Sequence, residues 1–287
     1  MSCPSVSPFD LPPLETFTAL RYLQPLREGG SLPAVVDTDG GLFVVKFRGA
    51  GQGAKALIAE LIVGTLAMAL DLPTPELALI DVPEPFGRSE PDPEIRELLR
   101  ASHGTNIGLR YLDGAFNFAP SAAGELIGAS LASRIVWLDA YTTNPDRTHR
   151  NPNLLVWQRR PWLIDHGAAL YAHHDWPSVD DARTHTPFAM ISDHVLLGLA
   201  GDLEAADAEL APRITESLLA AILDAVPDDL LGATAGKPDF ATAGAARARY
   251  VAYLLDRLRA PRAFLAEALS ARATLLASPP LRLPARR

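Results

Sequence analysis

Residues 144–167 read Asn-Pro-Asp-Arg-Thr-His-Arg-Asn-Pro-Asn-Leu-Leu-Val-Trp-Gln-Arg-Arg-Pro-Trp-Leu-Ile-Asp-His-Gly. An acid, Asp146, is followed five residues later by an amide, Asn151. An apolar run comes next, Leu154 to Trp157, and a second acid, Asp165, ends another apolar run fourteen residues beyond Asn151. Phosphoryl transfer from ATP uses these parts in this order. One carboxylate orients the attacking hydroxyl, while an amide and a second carboxylate hold magnesium on the phosphates. In such signatures the catalytic Asp stands five residues before the metal-binding Asn, and the second metal-binding Asp follows on a hairpin. The competing reading is a β-hairpin whose polar residues merely cap its ends. The crowding of Asp146, Arg147, His149 and Asn151 into one loop favours function, because loops carry chemistry that a rigid scaffold positions.

These residues need elements to hold them. Residues 17–27 read as extended, and 34–38 and 42–47 as strands joined by Asp39-Gly40-Gly41, a hairpin signal. Residues 54–71 have helical spacing, with Glu60 inside the apolar run and Pro73 and Pro75 as stops. A strand over 76–82, a short charged helix from Pro93 to Ser102 and a strand over 106–112 follow. The pattern then predicts a long helix over 121–143, the hairpin 153–165, and helices over 187–200, 203–226 and 241–275. Strands gather in the first part and helices in the last. This predicts an α+β chain with two lobes: an N-terminal lobe over residues 1–112 with an antiparallel sheet, and a mostly helical C-terminal lobe over 113–287.

Composition bounds the partners. The chain has 287 residues, 48% of them hydrophobic and 21% charged, as in an ordinary soluble globular protein. Its net charge of −8 argues against a nucleic-acid surface, which would need a basic patch to neutralise phosphates. The single cysteine, Cys3, rules out a disulfide framework and a cysteine zinc site, and fits a reducing cytoplasm. The N-terminus lacks the basic and apolar regions of a secretory signal. The most apolar runs are interrupted by Lys55, Glu60, Glu125, Arg134 and Asp139, so none reads as a membrane span.

A second constellation lies upstream. Lys46 ends an apolar strand, and alone it would read as a solvated strand end. The helix that follows carries Glu60, and a turn, Glu28-Gly29-Gly30-Ser31, precedes the strand pair. In phosphotransferases of this kind a strand lysine grips the ATP phosphates and a helix glutamate holds it. A turn with little side chain, such as Gly29, Gly30 and Ser31, brings backbone N–H groups close to phosphate. Gly49 to Gly53, before a helix N-terminus, is the alternative phosphate loop. No Gly-x-x-x-x-Gly-Lys-Ser/Thr motif is present, which excludes a P-loop enzyme.

Val44-Val45-Lys46-Phe47-Arg48-Gly49-Ala50-Gly51-Gln52-Gly53, a helix ending Leu70-Asp71-Leu72-Pro73-Thr74-Pro75-Glu76, the 144–156 stretch and Leu163-Ile164-Asp165-His166-Gly167 together resemble the HipA-like kinases. The resemblance covers about residues 20–200 and implies a two-lobed protein-kinase-like fold, distantly shared with phosphatidylinositol kinases. It implies ATP and Mg²⁺ as cofactors and a hydroxyl acceptor, first of all a protein Ser/Thr. By position, Lys46 would be the phosphate lysine and Glu60 its partner. Asp146 would be the catalytic base, and Asn151 and Asp165 the magnesium ligands. Leu109-Arg110-Tyr111-Leu112 would be the hinge whose backbone meets adenine. His166 stands where the family's magnesium motif usually has Phe.

Other residues read more plainly. His149 braces the loop, Asn153 is a second metal or loop contact or a strand-start cap, and Arg147 neutralises phosphate or forms a surface ion pair. His173-His174-Asp175 is a solvated loop lacking a third metal ligand. Thr184, Thr186 and Ser192 fall where kinases carry a regulatory segment. The alternatives to phosphotransfer are a nucleotide-binding pseudokinase scaffold, a small-molecule kinase, or a nucleotidyltransferase on the same fold.

Overall fold

The computed structural model describes residues 13–26, 32–51, 53–88, 90–232 and 239–277. The expected turn at Gly29, Gly30 and Ser31 lies outside these residues, as do the Pro-rich termini 1–12 and 278–287. Runs rich in β-branched and aromatic residues form strands β1 (Thr16–Pro25), β2 (Ala34–Thr38) and β3 (Gly41–Lys46). The β2–β3 turn uses Gly41 at φ 101°, a conformation that glycine adopts without penalty. Helix α1 (Gly53–Ala69) follows, then β4 (Leu77–Val82), α2 (Pro93–Ala101) and β5 (Gly104–Arg110).

The five strands close into a barrel in the order β1-β2-β3-β5-β4. The all-antiparallel sheet expected from the sequence is corrected at one seam, where β1 runs parallel to β4, pairing Thr16 with Leu79 and Thr18 with Asp81. That pairing joins strands about sixty residues apart, so no hairpin turn announces it. The barrel interior is packed with Ala19, Val36, Phe43, Val45, Ala78, Ile80 and Val82. Gly108 on β5 lets the backbone pass Ile80, whose Cγ1 would lie 2.7 Å from a Cβ built there.

Helix α1 is buried nearly all round, which explains its almost continuous apolar sequence. It joins the second and larger core. There Leu61, Ile62 and Leu66 pack with Trp137, Tyr141, Leu218, Leu254 and Phe264 from later in the chain. Asp71 at φ 54° and Pro73 end its path.

A short strand β6 (Phe116–Asn117) precedes α3 (Ala123–Leu126) and α4 (Ala129–Thr142). The single long helix expected over 121–143 is thus broken, with Gly128 in an extended conformation capping α4. Strands β7 (Leu154–Trp157) and β8 (Arg160–Leu163) form the expected hairpin, and β6 pairs with β7. Gln158 and Arg159 both take positive φ at its turn, as a tight two-residue hairpin requires.

The remaining helices are α5 (Asp181–Thr184), α6 (Leu203–Leu210), α7 (Glu216–Asp224), α8 (Asp228–Leu231), α9 (Ala243–Arg257) and α10 (Ala263–Ala277). The helix expected over 187–200 is instead a 3₁₀ turn at Ala189–Asp193 followed by turns, with the Val195 N–H donating to the Arg147 carbonyl at 3.0 Å rather than to a helical neighbour. No helix among the described residues is long and apolar enough to cross a membrane.

Candidate active site

Lys46 ends β3, where it pairs with Ile107 of β5, and its side chain runs into the space between the barrel and α1. Its Nζ donates to Glu60 Oε2 at 2.5 Å and to Asp165 Oδ1 at 2.6 Å. The ammonium thus joins residues 119 positions apart. Glu60 is fully buried on α1, and its Oε2 also accepts the His166 backbone N–H at 2.7 Å. Its Oε1 has no hydrogen-bond partner.

Burial opposes the Lys46 charge, but the two carboxylates outweigh it and hold its pKa above the ordinary lysine value. Burial pushes the Glu60 carboxyl up, with Lys46 pulling against it. Burial likewise opposes ionisation of Asp165, whose pKa Lys46 nonetheless holds below the usual carboxylate range. The lysine's direction governs the group, since two carboxylates compete for one cation. With all three ionised, the triad carries one uncompensated negative charge and favours a further cation nearby.

The loop after α4 presents the second half. Thr143 leaves the helix at φ 54°, and Asn144 Oδ1 accepts the Asp146 N–H at 3.1 Å. Asn151 Nδ2 donates to Asp146 Oδ2 at 2.9 Å, and Asn153 Nδ2 donates to the same oxygen at 3.2 Å. Asn153 takes φ 48° at the foot of β7, and its carbonyl accepts the Ile164 N–H at 3.1 Å. That bond sets the Asp146–Asn151 loop beside Asp165, itself in the left-handed region at φ 57°.

The Asn151 Nδ2 end is bonded to Asp146, so the Oδ1 end is the part that could ligate a cation. No group of three or more His, Cys, Asp or Glu among the described residues could hold a metal alone. Magnesium, however, takes one or two carboxylates together with substrate phosphates. The hard oxygen donors of Asp165 and Asn151 suit that mode.

The Gly49–Gly53 stretch falls on the same side. Gly53 opens α1 at φ 64°, and Ala50 and Gly53 line a small recess with Lys46, Phe47, Ala56, Leu57 and Gly167. Arg110 stands apart. Its guanidinium bonds Glu76 and the Gly40 carbonyl and lies 4.1 Å from the Phe43 ring centroid. Its N–H donates to Glu76 O, and the Tyr111 N–H to Leu42 O, so both amides are engaged by the barrel. The Leu112 carbonyl accepts the Ala115 N–H in a turn.

Sequence reasoning missed a buried network behind the loop. Arg147, expected at the surface or on phosphate, is enclosed, with its Nε 2.6 Å from Asp139 Oδ2. His194, not the exposed His149, braces the loop: its Nε2 lies 2.9 Å from Asp139 Oδ2, and its Nδ1 accepts the Leu196 N–H. Those partners fix His194 as the neutral Nε2–H tautomer, in keeping with burial lowering its pKa. Arg147 and His194 hold the Asp139 carboxyl far below the usual range despite its burial. Burial, with Arg147 alongside, pushes His166 down to about 3. Asp139 carried a signal, an acid inside an apolar helical run like Glu60; His194 carried none.

His173 is buried against the Tyr250 hydroxyl at 3.1 Å rather than solvated. Thr184 is buried and bonded to the Asp180 carbonyl, whereas Ser192 is exposed.

A five-stranded barrel is followed by a mainly helical region, and Lys46, Glu60 and Asp165 meet where α1 packs beside the barrel. The fold is similar to the crystal structure of a Helicobacter pylori proinflammatory kinase, CtkA, with a TM-score of 0.51 and 13% identity over 93% of this chain and 100% of that one. The chain belongs to the HipA-like kinase family, whose model matches residues 23–231. Membership supports kinase activity in general and implies a nucleotide and an acceptor substrate. No curated protein sequence matches the chain.

Proposed function

We propose that this protein is an ATP- and Mg²⁺-dependent phosphotransferase that moves the γ-phosphate to a hydroxyl, first of all that of a protein Ser or Thr. It works as two lobes, residues 1–112 and 113–287, with the nucleotide between them. The observation that carries this reading is the shared ammonium of Lys46, bonded to both Glu60 and Asp165. A scaffold has no physical need for a buried lysine between two carboxylates from distant parts of the chain, since buried ion pairs contribute little net stability.

Lys46 grips the phosphates, and Glu60 fixes its direction. Asn151 and Asp165 would hold magnesium, which when bound offsets charge on the phosphate oxygens. Asp146, steadied by Asn151 and Asn153, orients the acceptor hydroxyl and takes its proton as the oxygen bonds to the γ-phosphorus and ADP leaves. Most of the rate then comes from positioning and charge stabilisation. With the Arg110 and Tyr111 amides engaged in the barrel, backbone contact to adenine falls to the chain from Leu112 onward.

Intact mass after incubation with ATP and Mg²⁺, with ADP assayed in parallel, tests the reading. ADP or a phosphate adduct is expected from the wild type, reduced at least 100-fold in Asp146→Ala, as for loss of one such group. An AMP adduct would indicate the nucleotidyltransferase instead. ATP binding without turnover in either protein would indicate the scaffold.

A further inference from the structure

Arg147 immediately follows the proposed base, yet its side chain turns away from solvent and is completely enclosed. Its guanidinium meets groups from four places in the chain. Nε donates to Asp139 Oδ2 of α4 at 2.6 Å. Nη1 donates to the Asn153 carbonyl and, at 3.3 Å, to the Ile164 carbonyl. Nη2 faces His166 Nδ1 at 3.4 Å. The two carbonyls belong to the residues that pair β7 with β8 at their open end, directly before Asp165. The His166 backbone N–H in turn reaches Glu60.

On the other side, Asp139 is held by neutral His194 through Oδ2 and by Asn144 Nδ2 through Oδ1 at 3.0 Å. Asn144 also fixes the Asp146 N–H. One planar cation thus touches both halves of the candidate site without reaching the space where substrate would lie.

We propose that Arg147 is a positioning residue that sets the loop bearing Asp146 and Asn151 in register with the loop bearing Asp165. This deepens the phosphotransfer reading and rests on it for its consequence in rate. A guanidinium suits the task because it is permanently charged and presents five donors in a rigid plane. Those donors satisfy one carboxylate and two strand carbonyls together. A lysine ammonium could neutralise Asp139 but could not hold both carbonyls in a fixed plane. The charge keeps the buried Asp139 compensated, while the shape keeps the two loops together.

The test separates charge from shape. Arg147→Lys keeps the cation, so a folded protein with an ordinary unfolding transition is expected; Arg147→Met, which strips Asp139 of its cation, serves as the unfolding control. Arg147→Lys should bind ATP within about threefold of wild type, because Lys46 and Glu60 are untouched, while kcat falls by about 100-fold, the scale of a 1 Å misplacement.

Amide hydrogen exchange supplies a readout independent of turnover. In wild type, residues 146–153 and 164–167 should exchange at a common rate; in Arg147→Lys the two stretches should separate, with 146–153 exchanging at least tenfold faster. Unchanged kcat and unchanged exchange in a folded Arg147→Lys would overturn the inference. So would equal losses of ATP affinity and kcat, the mark of a purely structural role. A wild type that turns over no ATP would remove the phosphotransfer reading, and the exchange comparison would still judge the coupling of the two loops.

Discussion

Replacing His166 with Asn should remove much of the acid sensitivity of this fold. In the folded chain His166 is fully buried beside Arg147, and its pKa is pushed down to about 3 from an ordinary 6.5. The unfolded chain therefore binds a proton at this position between these two values while the folded chain does not, so stability falls as pH falls through that window. The contribution is complete above about pH 6.5. At about pH 4.5 the unfolded imidazole is stabilised by roughly two pH units of protonation, or ~3 kcal/mol at 1.36 kcal/mol per unit.

Asn at 166 does not titrate, keeps the backbone N–H that reaches Glu60, and offers an amide oxygen to Arg147. His173 and His194 are also lowered by burial and act in the same direction. They remain in both proteins and cancel from the comparison, as does the opposite contribution of Glu60. Urea unfolding of wild type and His166→Asn at about pH 7.5 and 4.5 measures the difference directly. The wild type should lose ~2–3 kcal/mol more than the variant over that interval. Equal losses would refute the reasoning, because His166 would then be no more shielded in the fold than in the unfolded chain.

Other outcomes follow from the same packing and charges. Lys46→Met should abolish measurable ATP binding and leave Glu60 buried without its cation, costing ~3–5 kcal/mol at neutral pH. Because burial raises the Glu60 pKa, that variant should recover stability as pH falls toward 5, and urea titrations that show no recovery would count against an ionised pair. Gly108→Ala would place a methyl 2.7 Å from Ile80 Cγ1 and 3.1 Å from Phe43 Cδ1. It should cost ~1–3 kcal/mol by overpacking the barrel, with turnover per folded molecule unchanged; a neutral effect in urea unfolding would mean the barrel interior yields easily.

Local pattern was enough for most of the elements and for the candidate site residues. Asp146, Asn151 and Asp165 stand in one sequence stretch because a loop and a hairpin bring them together over short chain distances, and periodicity reports such elements directly. Lys46 and Glu60 were legible for a similar reason, since a charge inside an apolar run must find a partner when the run is buried.

What lay beyond the sequence was set by contacts between distant segments. The β1–β4 seam that closes the barrel is a parallel pairing without a turn signal. The break falls at Gly128, a poor helix former, and the loss of the helix over 187–200 accompanies the bond from the Val195 N–H to the distant Arg147 carbonyl. Arg147 read as a surface or phosphate-binding group because, in sequence, its neighbours are polar, and His194 carried no signal. Arg147 gains its partners from Asp139 of α4 and from Asn153, Ile164 and His166 at the open end of the hairpin, segments that meet only in the folded chain. Sequence by itself determined which side chains could carry the chemistry. Tertiary structure decided which of them meet, because a hydrogen bond across 119 residues depends on the paths of every element between its ends.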